Sequence, residues 1–325
     1  MFNYVVRRTL QAIPLLLLIS VILFGITSKM PGGGYLAPFL QNPHITPADI
    51  ARLKHNFGLD KPLPIQYLHW LGQVLHGDFG WSQSNAEPVF QAIVQRLPAT
   101  LELMGSALIV SLAIGLAAGI FSAVLPYSIW DYIITTFAFF GQSMPIFWLA
   151  LMLQLALAVH GIPLPFGYMI QFPSAGISNT DTFNLGDRIA HLVLPTIALS
   201  FLSLALYSRF TRSSMLEVLS ADYIRTAAAK GLPFSTILLK HGLKNALIPV
   251  VTVVAISLPG LIAGAIITET IFAWPGMGRL FINALQQGDI ALLMGYLGLV
   301  AVLVVFSNLL ADVAYAWLDP RVKYD

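Results

Sequence analysis

Few side chains in this sequence are placed to do chemistry. The chain has no cysteine, which removes disulfide frameworks, zinc–thiolate sites and thiol nucleophiles together. No G-x-x-x-x-G-K-[ST] run is present to cradle a nucleotide, and no H-E-x-x-H to hold a catalytic zinc. Gly141-Gln142-Ser143 begins like the nucleophile motif of an intramembrane hydrolase. Met144 takes the fourth place, however, and the last apolar run has no histidine to act as base. Glu102 and Asp312 stand near the ends of apolar stretches, where a carboxylate reaches water or an ion-pair partner; a proton pathway needs a deeper one. Arg209 is the expected partner of Asp312 in a structural ion pair. His160 and His191 flank an outward-facing turn and read as interfacial residues rather than ligands.

The segment from Ser213 to Pro249 carries more information. Ser214-Met215-Leu216-Glu217 has the form of a capping box and predicts a helix start. Gly231 followed by Pro233 predicts a stop. Between them Ala221, Ile224, Ala228 and Gly231 recur at helical spacing as one face of mostly small residues, with Asp222, Arg225 and Ala229 on a neighbouring face. A second helix is expected near Ser235, with Lys240 and Lys244 one turn apart. Two readings stand. The helix lies on the inner leaflet, held by its basic residues, or it enters a groove of a cytoplasmic protein. Alanines in place of the Leu, Phe and Trp that insert into lipid favour the groove.

Such a helix needs a scaffold, and composition defines it. Of 325 residues, 57% are hydrophobic and 10% charged, against roughly 25% charged in soluble chains. A soluble enzyme, a disordered scaffold and a nucleic-acid binder are poor readings. The net charge of +2 is too small to argue from. The useful unit is the membrane span, about 20 apolar residues for about 30 Å of hydrocarbon. Charge-free runs at 10–27, 103–125, 132–159, 189–208, 246–268 and 290–311 are each long enough, so six spanning helices are expected.

Lysines and arginines set the orientation. With the N-terminus inside, ten lie in cytoplasmic segments, two in the short outer loops and five in the long first outer loop, which translocates largely regardless of charge. Both termini are then cytoplasmic. Arg7-Arg8 before an apolar run also fits a secretory or twin-arginine signal, but the run is long for a signal core and no small-residue cleavage site follows. The expected organisation is a stub and first span at 1–28, an extracytoplasmic loop at 29–98 and a five-span core at 99–325 that includes the cytoplasmic segment 213–245. The outer loop, with its prolines and aromatic residues, should hold short helices. Gly115-x-x-x-Gly119 and Gly260-x-x-x-Gly264 are close-packing signals.

At the inner segment the sequence becomes specific. Asp222-Tyr223-Ile224-Arg225-Thr226-Ala227-Ala228-Ala229-Lys230-Gly231-Leu232 resembles the EAA-type coupling motif of ABC importer permeases, in the dipeptide/oligopeptide/nickel branch. Arg225-Thr226-Ala227 stands where the general motif has E-A-A, and Asn245-Ala246-Leu247-Ile248-Pro249 closes it. The first acidic residue is missing and the glycine-to-proline spacing is longer, which suits the peptide branch. Gly58-Leu59-Asp60-Lys61-Pro62, Gly77-Asp78-Phe79-Gly80, Arg96-Leu97-Pro98-Ala99-Thr100-Leu101, Ser143-x-Pro145-x-Phe147-Trp148, Glu269-Thr270-x-Phe272-x-Trp274-Pro275-Gly276-x-Gly278 and Leu318-Asp319-Pro320-Arg321 resemble the same branch.

The resemblance implies an all-α polytopic membrane protein of the type I ABC importer permease fold, in the cytoplasmic (inner) membrane of a prokaryote. It implies a non-catalytic subunit forming half of a translocation pathway for di- or oligopeptides, or for nickel or another solute, by alternating access. The implied partners are a homologous second permease, two ATP-binding subunits or domains, an extracytoplasmic solute-binding protein and membrane lipid, with no nucleic acid. ATP and magnesium would be bound by the partners, and no cofactor or metal by this chain. ATPase coupling would fall to Asp222, Arg225, Thr226, Ala227, Ala228, Gly231 and Leu232. An exporter of the same architecture stays open as a rival. A secondary transporter would need inverted repeats and a mid-membrane coupling site, neither of which is visible.

Overall fold

The computed structural model describes residues 2–29, 45–56, 58–180 and 182–318, and their side chains except at 2–5, 256–264 and 311–318. The Gly260–Gly264 pair, the Asp312 side chain and the segment after Leu318 therefore lie outside the described residues. Two compact units emerge. One takes Leu101–Trp274 and the chain from Leu310; the other takes Phe2–Thr100 and Pro275–Leu309.

In the second unit, α1 (Phe2–Ser28) is the first apolar helix. The described part of the loop that follows folds as short elements, as its prolines and aromatics suggested. Helix α2 (Pro47–Asn56) starts on a capping exchange: Asp49 accepts from the Thr46 N–H and hydroxyl, and the Asp49 N–H donates back to Thr46 Oγ1. Those bonds hold the Asp49 carboxyl below the usual carboxylate range. Helix α3 (Leu63–Leu75) begins at Pro62, and Gln66 Nε2 donates to the Leu59 and Lys61 carbonyls, fixing the intervening turn. A hairpin of β1 (Trp81–Ser82) and β2 (Glu87–Pro88) follows. Two further helices, α10 (Met277–Gln287) and α11 (Ile290–Leu318) as far as Leu309, complete this unit. Its core gathers Phe24, Val89, Ile93, Leu292, Met294 and Tyr296. Asp289 caps α11 through the Leu292 N–H and accepts from Ser82 and Ser84, tying the hairpin to that helix.

Helix α4 (Val89–Val124) begins well before residue 99, so the expected loop boundary at 98 falls inside a helix. The first unit contains its apolar end and the apolar helices that follow as far as Trp274. The third apolar run, expected as one helix over 132–159, is broken. Helix α5 (Ile129–Ser143) and helix α6 (Ile146–Leu153, continued by a π-helical turn at Gln154–His160) meet at 106°. Pro145 is the cause: its ring pushes Met144 out of the helical region to φ −83°, ψ 126°. Among the described residues five helices are long and apolar enough to cross a bilayer, or six where the bent pair is counted as one span.

Helix α7 (Leu185–Leu219) is capped by Asn184 and runs straight through Ser214. The expected helix start at that capping box is therefore overturned. Thr211, Ser214 and Met215 are buried there, and Met215 packs with Ala123 and Ala246, so tertiary burial outweighs a local motif that fits a helix interior equally well. Past Ser220 and Ala221 comes α8 (Asp222–Ala229), and a helical stretch opens at Phe234–Thr236, passes through π-helical Ile237–Leu243 and continues as α9 (Lys244–Ile271). The expected start near Ser235 holds. Two strands, β3 (Ile162–Pro163) and β4 (Met169–Ile170), form a small hairpin in the loop before α7.

Candidate functional site

Helix α8 has no side-chain cap, but Asp222 in its first turn complements the positive end of the helix. Ile224 and Ala227 are buried and meet Ile237, which fixes the helix against the stretch that leads into α9. Asn245 Nδ2 donates to Tyr223 Oη at 3.2 Å, so the two ends of the motif hold each other. The C-terminus closes by a paired exchange: the Gly231 N–H donates to Ala228 O at 2.9 Å and the Leu232 N–H to Ala227 O at 3.4 Å. Gly231 sits at φ +75°, and a Cβ there would meet nothing within 4 Å. Its requirement is conformational, not steric.

Asp222, Arg225, Thr226, Ala228, Gly231 and Leu232 are exposed. Arg225 reaches Asp222 at 3.6 Å, with side chains 75% and 97% exposed, so both are open to a partner. The single face expected from Ala221, Ile224, Ala228 and Gly231 is divided. Ile224 turns inward with Ala227, because it is the one large apolar residue of the four and burying it against Ile237 removes it from water. Ala227 therefore supports the helix from inside, while Ala228 and Ala229 present small side chains outward.

On the side of α7 away from α8, Arg188 donates from Nε to Glu102 Oε1 and Oε2 at 2.9 and 3.1 Å, and stacks at 5.3 Å over the ring of wholly buried Trp274. Glu102 is thus an ion-pair residue, as its position suggested. Trp274 belongs to the Glu269–Gly278 motif, whose turn is shaped by the Trp274 N–H donating to Glu269 O at 2.8 Å. His191 departs from its interfacial reading: its side chain is fully buried, with Nδ1 2.8 Å from the Asp187 carbonyl oxygen. Burial comes from α7 packing, since Leu194 and Ala198 one and two turns on are buried in the same helix. His160 is exposed. Arg209 Nη1 donates to Gln142 Oε1 at 2.5 Å and lies 4.7 Å from the centre of the Phe139 ring.

One cluster has no signature in the sequence. Asp131, 2% exposed, accepts both Arg212 Nε and Nη2 at 2.7 Å, the Tyr127 N–H at 2.8 Å and the Ser122 hydroxyl. Ser128-x-x-Asp131 carries a helix-start signal, and Ser128 does cap α5. Nothing in the sequence pairs Asp131 with a residue so far along the chain.

Helices long and apolar enough to cross a bilayer, joined to a short exposed helix, mark a multi-pass membrane protein. The chain belongs to the family of binding-protein-dependent transport system inner membrane components, whose pattern matches residues 115–324, with the family's N-terminal region matching 1–104. It is 43% identical to the oligopeptide transport system permease protein AppB of Bacillus subtilis, over 100% of both chains. It is 40% identical to the dipeptide transport system permease protein DppB of Escherichia coli, over 100% of this chain and 99% of that one. A solved structure of the MetNI methionine ABC transporter, in inward-facing conformations, shares the fold with a TM-score of 0.54 over 70% of this chain and 97% of that one, at 19% identity. The fold is that of a type I ABC importer permease.

Proposed function

We propose that this chain forms half of the translocation pathway of an ATP-driven peptide importer, working by alternating access with a homologous second permease. The observation that carries the reading is end-to-end similarity to permeases named for oligopeptide and dipeptide transport. Two ATP-binding subunits supply the energy and hold ATP and magnesium; this chain is non-catalytic and binds no cofactor. An extracytoplasmic solute-binding protein delivers the peptide. Both termini face the cytoplasm, and the outer loop of 29–98 faces the other way.

The exposed face of α8 supports the coupling role. Force applied at Arg225, Ala228 and Leu232 passes through Ile224 and Ala227 to Ile237 and on to α9. Backward, only Ser220 and Ala221 separate α8 from α7, and their N–H groups are bonded to the last turn of α7. A helix mounted so tightly moves its spans when it moves.

The test is reconstitution. The chain alone should neither bind nor hydrolyse ATP, whereas liposomes holding both permeases and the ATP-binding subunits should take up labelled dialanine when ATP and the binding protein are supplied. Nucleotide-dependent stabilisation of the isolated chain, or uptake without ATP, overturns the reading.

A further inference from the structure

We infer that Asp131 and Arg212 form a clamp that makes α5 move with the coupling helix, and so act as positioning residues for energy transfer. This rests on the coupling role given above to α8. The starting point is where the pair sits. Arg212 lies on α7 two turns before that helix ends and hands over to α8. Asp131 is in the first turn of α5, the half of the broken span that leads to the bend at Met144–Pro145.

Around the pair, α4 and α7 are already locked by backbone contact. A Cβ on Gly115 would lie 3.1 Å from Leu204 O, and one on Gly119 2.6 Å from Ser208 O. Helix α5 also packs on α7, through Phe137 and Gly141 against the Phe201 ring, but those contacts lie in its later turns. It joins α4 through the short corner Leu125–Ser128, where Tyr127 takes φ +61°, a conformation side chains rarely adopt. Left to itself, that corner is a pivot.

Asp131 removes the freedom. Its carboxylate takes the Tyr127 N–H and so holds the strained residue, takes the Ser122 hydroxyl at the end of α4, and takes both prongs of the Arg212 fork. Thr135 Oγ1, one turn on, adds a bond of 3.3 Å. An ion pair with one buried partner is a poor way to gain stability, since apolar packing of the same volume often does as well. What it adds is direction. A two-pronged bond resists both sliding and rotation, which apolar contacts permit. The arrangement is therefore suited to passing a displacement from α8 through α7 into α5 without slippage.

Two measurements on the same variants test this. Spin labels at Trp130→Cys and Ala229→Cys, in this naturally cysteine-free chain, report the α5-to-α8 distance in the purified full-length protein. The distribution should be narrow with Asp131 and Arg212 intact and at least twice as broad in Asp131→Asn. In the assembled transporter, stimulation of ATP hydrolysis by the binding protein should fall at least fivefold in Asp131→Asn, with basal hydrolysis within twofold of the unaltered protein. Arg212→Lys, which keeps the charge and loses the fork, should fall between the two.

An unchanged distance distribution overturns the clamp whatever transport does. A broadened distribution with full stimulation overturns its role in coupling. Variants that cannot be assembled at all also count against it, since the pair would then be a folding requirement only. If the unaltered assembly shows no stimulation, the importer reading fails instead, and the distance distribution still decides the clamp.

Discussion

Gly119 presses against the backbone of α7: a Cβ built on it would stand 2.6 Å from the Ser208 carbonyl oxygen and 2.6 Å from Thr211 Cβ. Neither atom is the end of a flexible side chain, so α4 and α7 would have to separate. Gly119→Ala should destabilise the protein by roughly 1–3 kcal/mol, as overpacking does. Gly105→Ala is the control, because nothing lies within 4 Å of a Cβ there. Thermal unfolding in detergent should show a lower midpoint for the first and little change for the second; equal midpoints would remove the close-packing argument.

A second prediction concerns the Glu102–Arg188 ion pair. Glu102 and Arg188 keep about a third and a quarter of their side chains exposed, so their coupling should lie between that of surface and buried pairs, roughly 1–3 kcal/mol. A double-mutant cycle with Glu102→Gln and Arg188→Gln should return that coupling. Arg188→Lys should also weaken the protein, because lysine cannot make the fork to the carboxylate. Strictly additive effects would show that the two side chains act separately.

Coupling is tested at α8. Gly231→Val forces a β-branched residue into a left-handed conformation, costing about 1–3 kcal/mol locally, and should misplace the chain leading into α9. Ala228→Trp should block docking directly. Arg225→Glu should weaken co-purification of the ATP-binding subunits more than Arg225→Ala. In each case the protein should reach the membrane, while transport and stimulated ATP hydrolysis fall together. Intact transport in both Gly231→Val and Ala228→Trp would leave α8 as a helix lying on the leaflet.

The orientation is open to chemical labelling, since the chain has no cysteine of its own. His76 and Ser220 are both exposed. An impermeant thiol reagent added outside intact cells should label His76→Cys and spare Ser220→Cys. The opposite pattern would invert the topology.

Arg209 and Asp312 remain a proposed pair. A double-mutant cycle should show coupling, and the charge swap should recover part of what either single change loses. Arg209 also touches Gln142, so Gln142→Ala serves as comparison: if it couples to Arg209 and Asp312→Asn does not, the amide is the partner that matters.

The class of protein is legible in the order of the residues alone. Apolar runs longer than about 18 residues leave a helix in lipid little alternative, because every backbone group must be satisfied inside the segment. That order also places the end of α8, since Gly231 and Pro233 act on their own few residues whatever surrounds them. Tertiary structure decided the rest. The capping box at Ser214–Glu217 lost to the burial of Met215, and Ile224 and Ala227 turned inward because Ile237 lies beside them. Pro145 marks the break in the sequence, but the angle of 106° between the two halves appears only in the fold. The Asp131–Arg212 bond joins residues 81 positions apart, and no local pattern specifies a partner at that distance; the close approach of α4 and α7, the corner that joins α4 to α5 and the packing of α5 on α7 together bring the carboxylate and the guanidinium into contact.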